Sequence, residues 1–185
     1  KSLPASATLA MAAKARELKN EGKDIIGLSL GEPDFNTPEF IKEAAIEAIQ
    51  ADYNSYTPVD GYAELKDAIC TKFKRDNALE YAPNQIVVST GAKQSIANVV
   101  QVLINPGDDV LLVAPYWVSY SAMVILAEGN PIEIRSGIET DFKITPQQLE
   151  DAITPKTKLV MLNSPNNPSG SMYTEAEYEA LAAVL

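Results

Sequence analysis

Residues 110–134 read Val110-Leu111-Leu112-Val113-Ala114-Pro115-Tyr116-Trp117-Val118-Ser119-Tyr120-Ser121-Ala122-Met123-Val124-Ile125-Leu126-Ala127-Glu128-Gly129-Asn130-Pro131-Ile132-Glu133-Ile134. Val110 to Val113 is apolar without alternation, the pattern of a strand covered on both faces. Val118 to Ala127 is too long and too apolar for a turn and reads as a helix. Pro131 to Ile134 is the next strand. A strand, a helix and a second strand within this span form the repeating unit of a parallel sheet.

The same alternation continues in both directions. Downstream, Thr145-Pro146-Gln147-Gln148 opens a helix with Gln148 placed for a capping box, and Leu159 to Leu162 is a strand. Thr174-Glu175-Ala176-Glu177 is a second capping box. Upstream, Ile86-Val87-Val88 reads as a strand. Gln94 to Ile104 reads as a helix with Ile96, Val99, Val100 and Leu103 on its inner side, broken by Asn105-Pro106-Gly107-Asp108. The expected fold class is therefore α/β, a mostly parallel sheet with helices on both faces. In such sheets ligands bind at the carboxyl ends of the strands.

The first part of the chain is less regular. Ser6 is placed to cap a helix whose Met11, Ala15 and Leu18 share a face and which Gly22 closes. Ile25 to Leu30 reads as a short buried strand. Thr37-Pro38 starts a helix with a stripe of Ile41, Ala45, Ala48 and Ile49, because proline's missing N–H costs nothing in a first turn. Asp52 to Gly61 is a turn-rich loop, and Leu65, Ile69 and Phe73 mark another helix. A soft boundary near residues 45 to 60 divides the chain. Residues 1–45 are expected to form an N-terminal arm and part of a small α/β domain, and residues 46–185 the first, incomplete part of a large one.

Composition narrows the function. Of 185 residues 46% are apolar, ordinary for a globular protein. No run reaches the roughly 18 apolar residues of a membrane span, and the first residues carry no apolar signal segment, so a cytoplasmic protein is expected. The formal net charge of −10 argues against nucleic acid and anionic membranes as partners. Local donors can still hold a small anion. Cys70 is the single cysteine, so no intrachain disulfide forms; a buried structural thiol is expected. The absence of histidine removes a Ser-His triad and a His-based zinc site from these residues.

Three polar segments sit where strands are expected to end. In Ser89-Thr90-Gly91-Ala92-Lys93, small residues turn the chain into a helix whose free N–H groups suit an anion, and Lys93 adds a cation. A tight turn with a solvated lysine explains the same residues. No GxxxxGK[ST] or GxGxxG occurs. In Pro115-Tyr116-Trp117-Val118-Ser119-Tyr120, the only tryptophan either stacks on a flat heteroaromatic ring or fills the core. In Asn166-Asn167-Pro168-Ser169-Gly170, turn chemistry and a ligand-facing amide are both open readings. Gly31, in Gly31-Glu32-Pro33-Asp34-Phe35, is likewise a turn residue or a close backbone approach.

Taken in order, Leu30–Phe35, Tyr56-Thr57-Pro58-Val59-Asp60-Gly61, Thr90-Gly91-Ala92-Lys93-Gln94, Pro115–Tyr120 and Asn163-Ser164-Pro165-Asn166-Asn167-Pro168-Ser169-Gly170 resemble the N-terminal half of class I aminotransferases. These are fold-type I enzymes that use pyridoxal 5′-phosphate, and the likeness is to the bacterial aspartate (aspartate/prephenate) subgroup. The resemblance implies that Gly91, Ala92 and Lys93 border the cofactor phosphate and that Trp117 stacks on the pyridine ring. It implies that Asn167 donates to the ring's phenolic oxygen and Gly31 meets the substrate α-carboxylate. Tyr56 would reach the phosphate in the neighbouring subunit of a homodimer with shared sites. Lys93 and Thr8 would help recognise a dicarboxylate side chain, although Ser6-Ala7-Thr8 also suits a plain helix N-cap.

The family's Schiff-base lysine, the acidic partner of the pyridine nitrogen and the α-carboxylate arginine are expected beyond Leu185, so no catalytic residue is assigned here. The expected parent activity is amino transfer between an amino acid, aspartate first, and a 2-oxo acid, 2-oxoglutarate first. The chain alone is expected to be inactive. The alternatives are an aromatic or prephenate aminotransferase, a β-lyase, or a non-catalytic scaffold. The decisive expectation is geometric: Gly31, the Gly91 turn, Trp117 and Asn167 converge on one cavity.

Overall fold

The computed structural model describes residues 7–28, 31 and 33–185. Two compact units divide the chain near Ala92, one holding Thr8–Ala92 and the other Lys93–Leu185.

The Lys93–Leu185 unit is built on a three-stranded parallel sheet in the order β2-β1-β3. The strands are β1 (Asp109–Ala114), β2 (Asn130–Arg135) and β3 (Thr157–Met161). Val110 pairs with Pro131 on one side and Leu159 on the other; Leu112 pairs with Glu133 and Met161. Because successive side chains point to opposite faces, β1 feeds two cores. Val110 and Leu112 pack with Val100, Ile104 and Val124. Leu111 and Val113 pack with Ile134, Leu149, Tyr173 and Leu181. The helices that supply these partners are α4 (Ala92–Leu103) and α5 (Ser119–Leu126) on one face, and α6 (Pro146–Ala152) and α7 (Glu175–Ala182) on the other. Helices thus lie on both faces of a parallel sheet, as the apolar runs predict, and β1 is the strand buried on both, while β2 is largely exposed.

Local chemistry sets the ends of these elements. Thr145 and Thr174 each accept from the backbone N–H three residues on, and Gln148 and Glu177 reach back to the cap residue's own N–H. Both capping boxes stand as read from the sequence. At the amino end of the sheet, Asp109 accepts from Asn130 Nδ2 at 3.2 Å and from Thr154 Oγ1 at 3.1 Å. One nearly buried carboxylate therefore ties β1 to the start of β2 and to the turn before β3.

Among its described residues, the Thr8–Ala92 unit is helical where it is regular. It contains α1 (Ala7–Asn20), of which Ala7 lies just across the boundary, α2 (Glu39–Gln50) and α3 (Ala63–Asn77). Gly22 closes α1 with a left-handed φ of 81°: its N–H reaches the Lys19 carbonyl, and the Lys23 N–H reaches that of Leu18. Ser6, the expected cap of α1, lies outside the described residues. Gly61 also has a positive φ, and a Cβ there would lie 2.5 Å from Val88 Cγ2. That contact, the Val88 N–H to Asp60 carbonyl bond and the Lys66–Asp60 ion pair hold the loop 54–61 against residues 86–88.

Several expectations do not hold. Residues 25–28 form no strand, and Ile26 and Leu28 are 85% and 93% exposed; Ser29 and Leu30 lie outside the described residues. Residues 86–88 are also irregular, following a 3₁₀ turn at Pro83–Gln85. Both stretches have strand composition but no neighbouring strand among the described residues to complete a ladder. In α4 only Val100 is buried; Val99 and Leu103 are about half exposed, while Ile96 and Ile104 do pack inward. The α2 stripe is not covered either, since no α2 residue is buried and Pro38 serves as its N-cap. Cys70 is half-buried rather than buried, with a free thiol.

Candidate functional site

Strand order creates the site. β1 and β3 are adjacent and parallel, but the chain leaving β1 goes to α5 on one face and the chain leaving β3 goes to α7 on the other. The two connections diverge at the carboxyl edge of the sheet, the switch point at which such folds bind ligands. Residues 115–118 form one lip and residues 162–174 the other.

The first lip is aromatic. Trp117 is half-buried, its ring meeting Tyr120 edge to face at 5.7 Å and 88°. Tyr120 stacks on Tyr116 at 6.4 Å, and the Tyr116 hydroxyl donates to Glu133 Oε1 at 2.8 Å. Burial, followed by the hydrogen bond to Glu133, pushes the Tyr116 hydroxyl above the ordinary phenol range. The Lys93 ammonium, from the first turn of α4, lies over the Trp117 ring 4.8 Å from its centroid. The indole is thus not sunk in packing: the exposed Lys93 side chain lies over its face.

The second lip is a knot of short polar contacts. Asn166 is 9% exposed. Its Nδ2 donates to the Pro115 carbonyl at 3.2 Å, and its Oδ1 accepts from Ser169 N and Oγ at 3.1 Å each. Its backbone N–H donates to the Ser171 carbonyl, and its carbonyl accepts from Gly170 N. Next in the chain, Asn167 is exposed and only its backbone N–H is engaged, donating to Asn163 Oδ1 at 2.9 Å. Tyr173 N donates to Ser164 Oγ and the Tyr173 hydroxyl accepts from Ile144 N at 2.8 Å, fastening the loop to the core. The end of β1 is pinned from the β2 side as well, by Ser136 Oγ on the Ala114 carbonyl at 2.6 Å.

Of the residues singled out by sequence, the structure brings Lys93 and Trp117 into contact and ties the Trp117 lip to the loop of Asn167. The others belong to the Thr8–Ala92 unit. Gly91 has a φ of 82° with open space where a Cβ would lie, and Ala92 begins α4, so backbone conformation alone accounts for that glycine. Gly31 is exposed, Thr8 is half-exposed in the first turn of α1, and the Tyr56 side chain is fully exposed. Sequence reasoning gave no separate role to Asn166, Tyr116 or Tyr173. The doublet Asn166-Asn167 between two prolines was the available signal, since two like amides in one tight loop have room for different tasks.

The donor set suits a flat, anionic, oxygen-bearing ring. It offers an aromatic face guarded by a cation, and an exposed asparagine whose side chain has no hydrogen bond among the described residues. No group of acidic or cysteine side chains suited to a metal occurs among the described residues. The family model for aminotransferase class I and II matches residues 23–185. The chain belongs to that family. An "Aspartate/prephenate aminotransferase" from Nitrosomonas europaea is 58% identical over 180 residues, covering 97% of this chain and 45% of that protein. An "Aspartate aminotransferase" from Bacillus sp. (strain YM-2) is 52% identical, covering 100% and 47%. The structure of aspartate aminotransferase from Thermus thermophilus with maleate matches with a TM-score of 0.94 at 43% identity, over 98% of this chain and 48% of that one. The fold is that of fold-type I aminotransferases, and the chain spans a little under half the length of the relatives it matches.

Proposed function

We propose that this chain is the cofactor-anchoring portion of a pyridoxal 5′-phosphate-dependent aminotransferase. The observation that carries the reading is the pair of lips at the carboxyl ends of β1 and β3, with Lys93 over Trp117 on one and the exposed Asn167 side chain on the other. When bound, the cofactor supplies the electron sink through which an amino group passes between an amino acid and a 2-oxo acid.

The chain's own residues bind and orient. Trp117 stacks on the pyridine ring, and Asn167 donates its amide to the ring's phenolic oxygen. The N–H groups of Gly91 and Ala92 at the start of α4, with Lys93, take the phosphate. Gly31 offers its backbone to the substrate α-carboxylate. Thr8 and Lys93 read the substrate side chain. Tyr56, whose side chain is fully exposed, reaches the phosphate of a partner subunit in a homodimer. Residues 1–45 serve a small domain and residues 46–185 a large one. The covalent step belongs to a lysine outside these residues, and this chain alone is inactive.

Aspartate and 2-oxoglutarate are the proposed substrates of a cytoplasmic enzyme of amino-acid metabolism. A second reading, amino transfer to prephenate, is favoured by the names of relatives at 58% and 56% identity. No helix among the described residues is long and apolar enough to cross a membrane.

The test is an amino-transfer panel on the full-length protein with aspartate, aromatic amino acids, prephenate and a β-lyase substrate. Aspartate turnover is expected, together with a Trp117→Ala variant that binds the cofactor about tenfold more weakly, the scale of one aromatic stacking contact. No transfer from any amino donor overturns the reading.

A further inference from the structure

The two asparagines of the second lip do different work. Asn166 is buried and engaged through both ends of its side chain. Asn167 is exposed, and its side chain has no hydrogen bond among the described residues. The Asn166 bond to the Pro115 carbonyl joins points 51 residues apart in sequence. It attaches two residues before Trp117 and one residue before Asn167. Ser136 holds the preceding carbonyl, that of Ala114, from the opposite side. The end of β1 is therefore held from both sides, and beyond the β1–β3 ladder the Asn166 side chain links the Trp117 lip to the turn that carries Asn167.

We propose that Asn166 is a positioning residue that sets the distance between Trp117 and Asn167, and hence how strongly Asn167 acts on an aromatic ligand stacked on Trp117. The inference rests on the proposed function and deepens it. The side chain itself touches no ligand. Its amide fixes the Trp117 lip, and its carbonyl, by accepting twice from Ser169, holds the turn that carries Asn167. Each end can be perturbed separately. Asn166→Asp keeps the acceptor side and replaces the donor with an oxygen facing the Pro115 carbonyl. Ser169→Ala removes one of the two acceptor contacts and leaves the Pro115 bond intact.

The experiment uses the full-length enzyme loaded with pyridoxal 5′-phosphate and follows the cofactor's absorbance against pH, with kcat and KM measured in parallel. Asn166→Asp is expected to move the titration midpoint by about half a pH unit or more, the scale of one neutral hydrogen bond, in the same direction as Asn167→Ala. Combining it with Asn167→Ala should give no further shift, because the first change acts through the second residue. kcat should fall about 10- to 100-fold, as expected for misplacement near 1 Å, with a smaller change in KM. Ser169→Ala should shift the midpoint less. If Asn166→Asp does not fold, Asn166→Ser gives the same readout. A holoenzyme variant with lowered stability but an unchanged midpoint shows a purely structural role and overturns the inference. A wild-type protein that takes up no cofactor overturns the underlying reading instead.

Discussion

Replacing Tyr173 by phenylalanine removes a single oxygen. Tyr173 is 7% exposed, and its ring packs in the cluster of Leu111, Val113, Ile134, Leu149 and Leu181. The ring survives Tyr173→Phe; what is lost is the acceptor for the Ile144 N–H, a buried contact of 2.8 Å. Ile144 is itself 6% exposed, so water does not readily replace the hydroxyl. A buried donor left without a partner costs about 1–3 kcal/mol. Taking about 2 kcal/mol, the Ile144 amide should exchange roughly 30-fold faster, since about 1.4 kcal/mol is a factor of ten. In a domain of this size the melting temperature should fall by about 4–8 °C. Tyr173→Ala, which also empties the ring's volume, should cost about 3–5 kcal/mol. Hydrogen exchange read over residues 142–149, with thermal unfolding alongside, measures both. An alkaline effect follows as well. Burial raises the Tyr173 hydroxyl above its ordinary value of 10.0, so the fold favours the neutral form. The resulting stability is complete below pH 10 and is lost as pH climbs through the raised value. Tyr173→Phe should flatten that alkaline decline. Unchanged exchange at Ile144, or a loss equal to that of Tyr173→Ala, would refute the account.

Two further predictions concern other contacts. Glu177 accepts from Lys143 at 2.7 Å and closes the capping box at Thr174, which lowers its carboxyl from 4.5 to about 2, the lysine bond being the largest cause. Its contribution is present above pH 4.5 and lost as pH falls toward 2, so Glu177→Gln should remove the part of the acid-unfolding curve that lies between those values. Gly61→Ala should cost about 2–4 kcal/mol, from a left-handed backbone and a Cβ driven into Val88; denaturant unfolding that matches wild type within about 0.5 kcal/mol would show that Val88 yields freely.

What sequence revealed, and what it hid, follows from the range of the interactions involved. Val110 to Val113 declared itself because both faces of this central strand are covered, leaving an apolar run with no alternation. Thr145 with Gln148 and Thr174 with Glu177 were legible because each cap closes within four residues. Residues 25–28 and 86–88 carry the same apolar residues without a pairing strand, and composition cannot show whether a ladder partner exists. Val99 and Leu103 were misread for a related reason: helical spacing marks an apolar face but not what stands opposite it. At the site, Trp117 and Lys93 were legible as types of side chain, while their contact was not. The Asn166-Asn167 doublet marked two amides, but which of them is anchored was not legible, because a bond spanning 51 residues leaves no local pattern.

The most direct test of the central claim is the position of pyridoxal 5′-phosphate in a crystal structure of the full-length protein. The account predicts the pyridine ring against the Trp117 face where the Lys93 ammonium now lies, with the Asn167 amide within hydrogen-bond reach of a ring oxygen. A cofactor bound away from the carboxyl ends of β1 and β3, or lying there with Trp117 packed elsewhere, would contradict it.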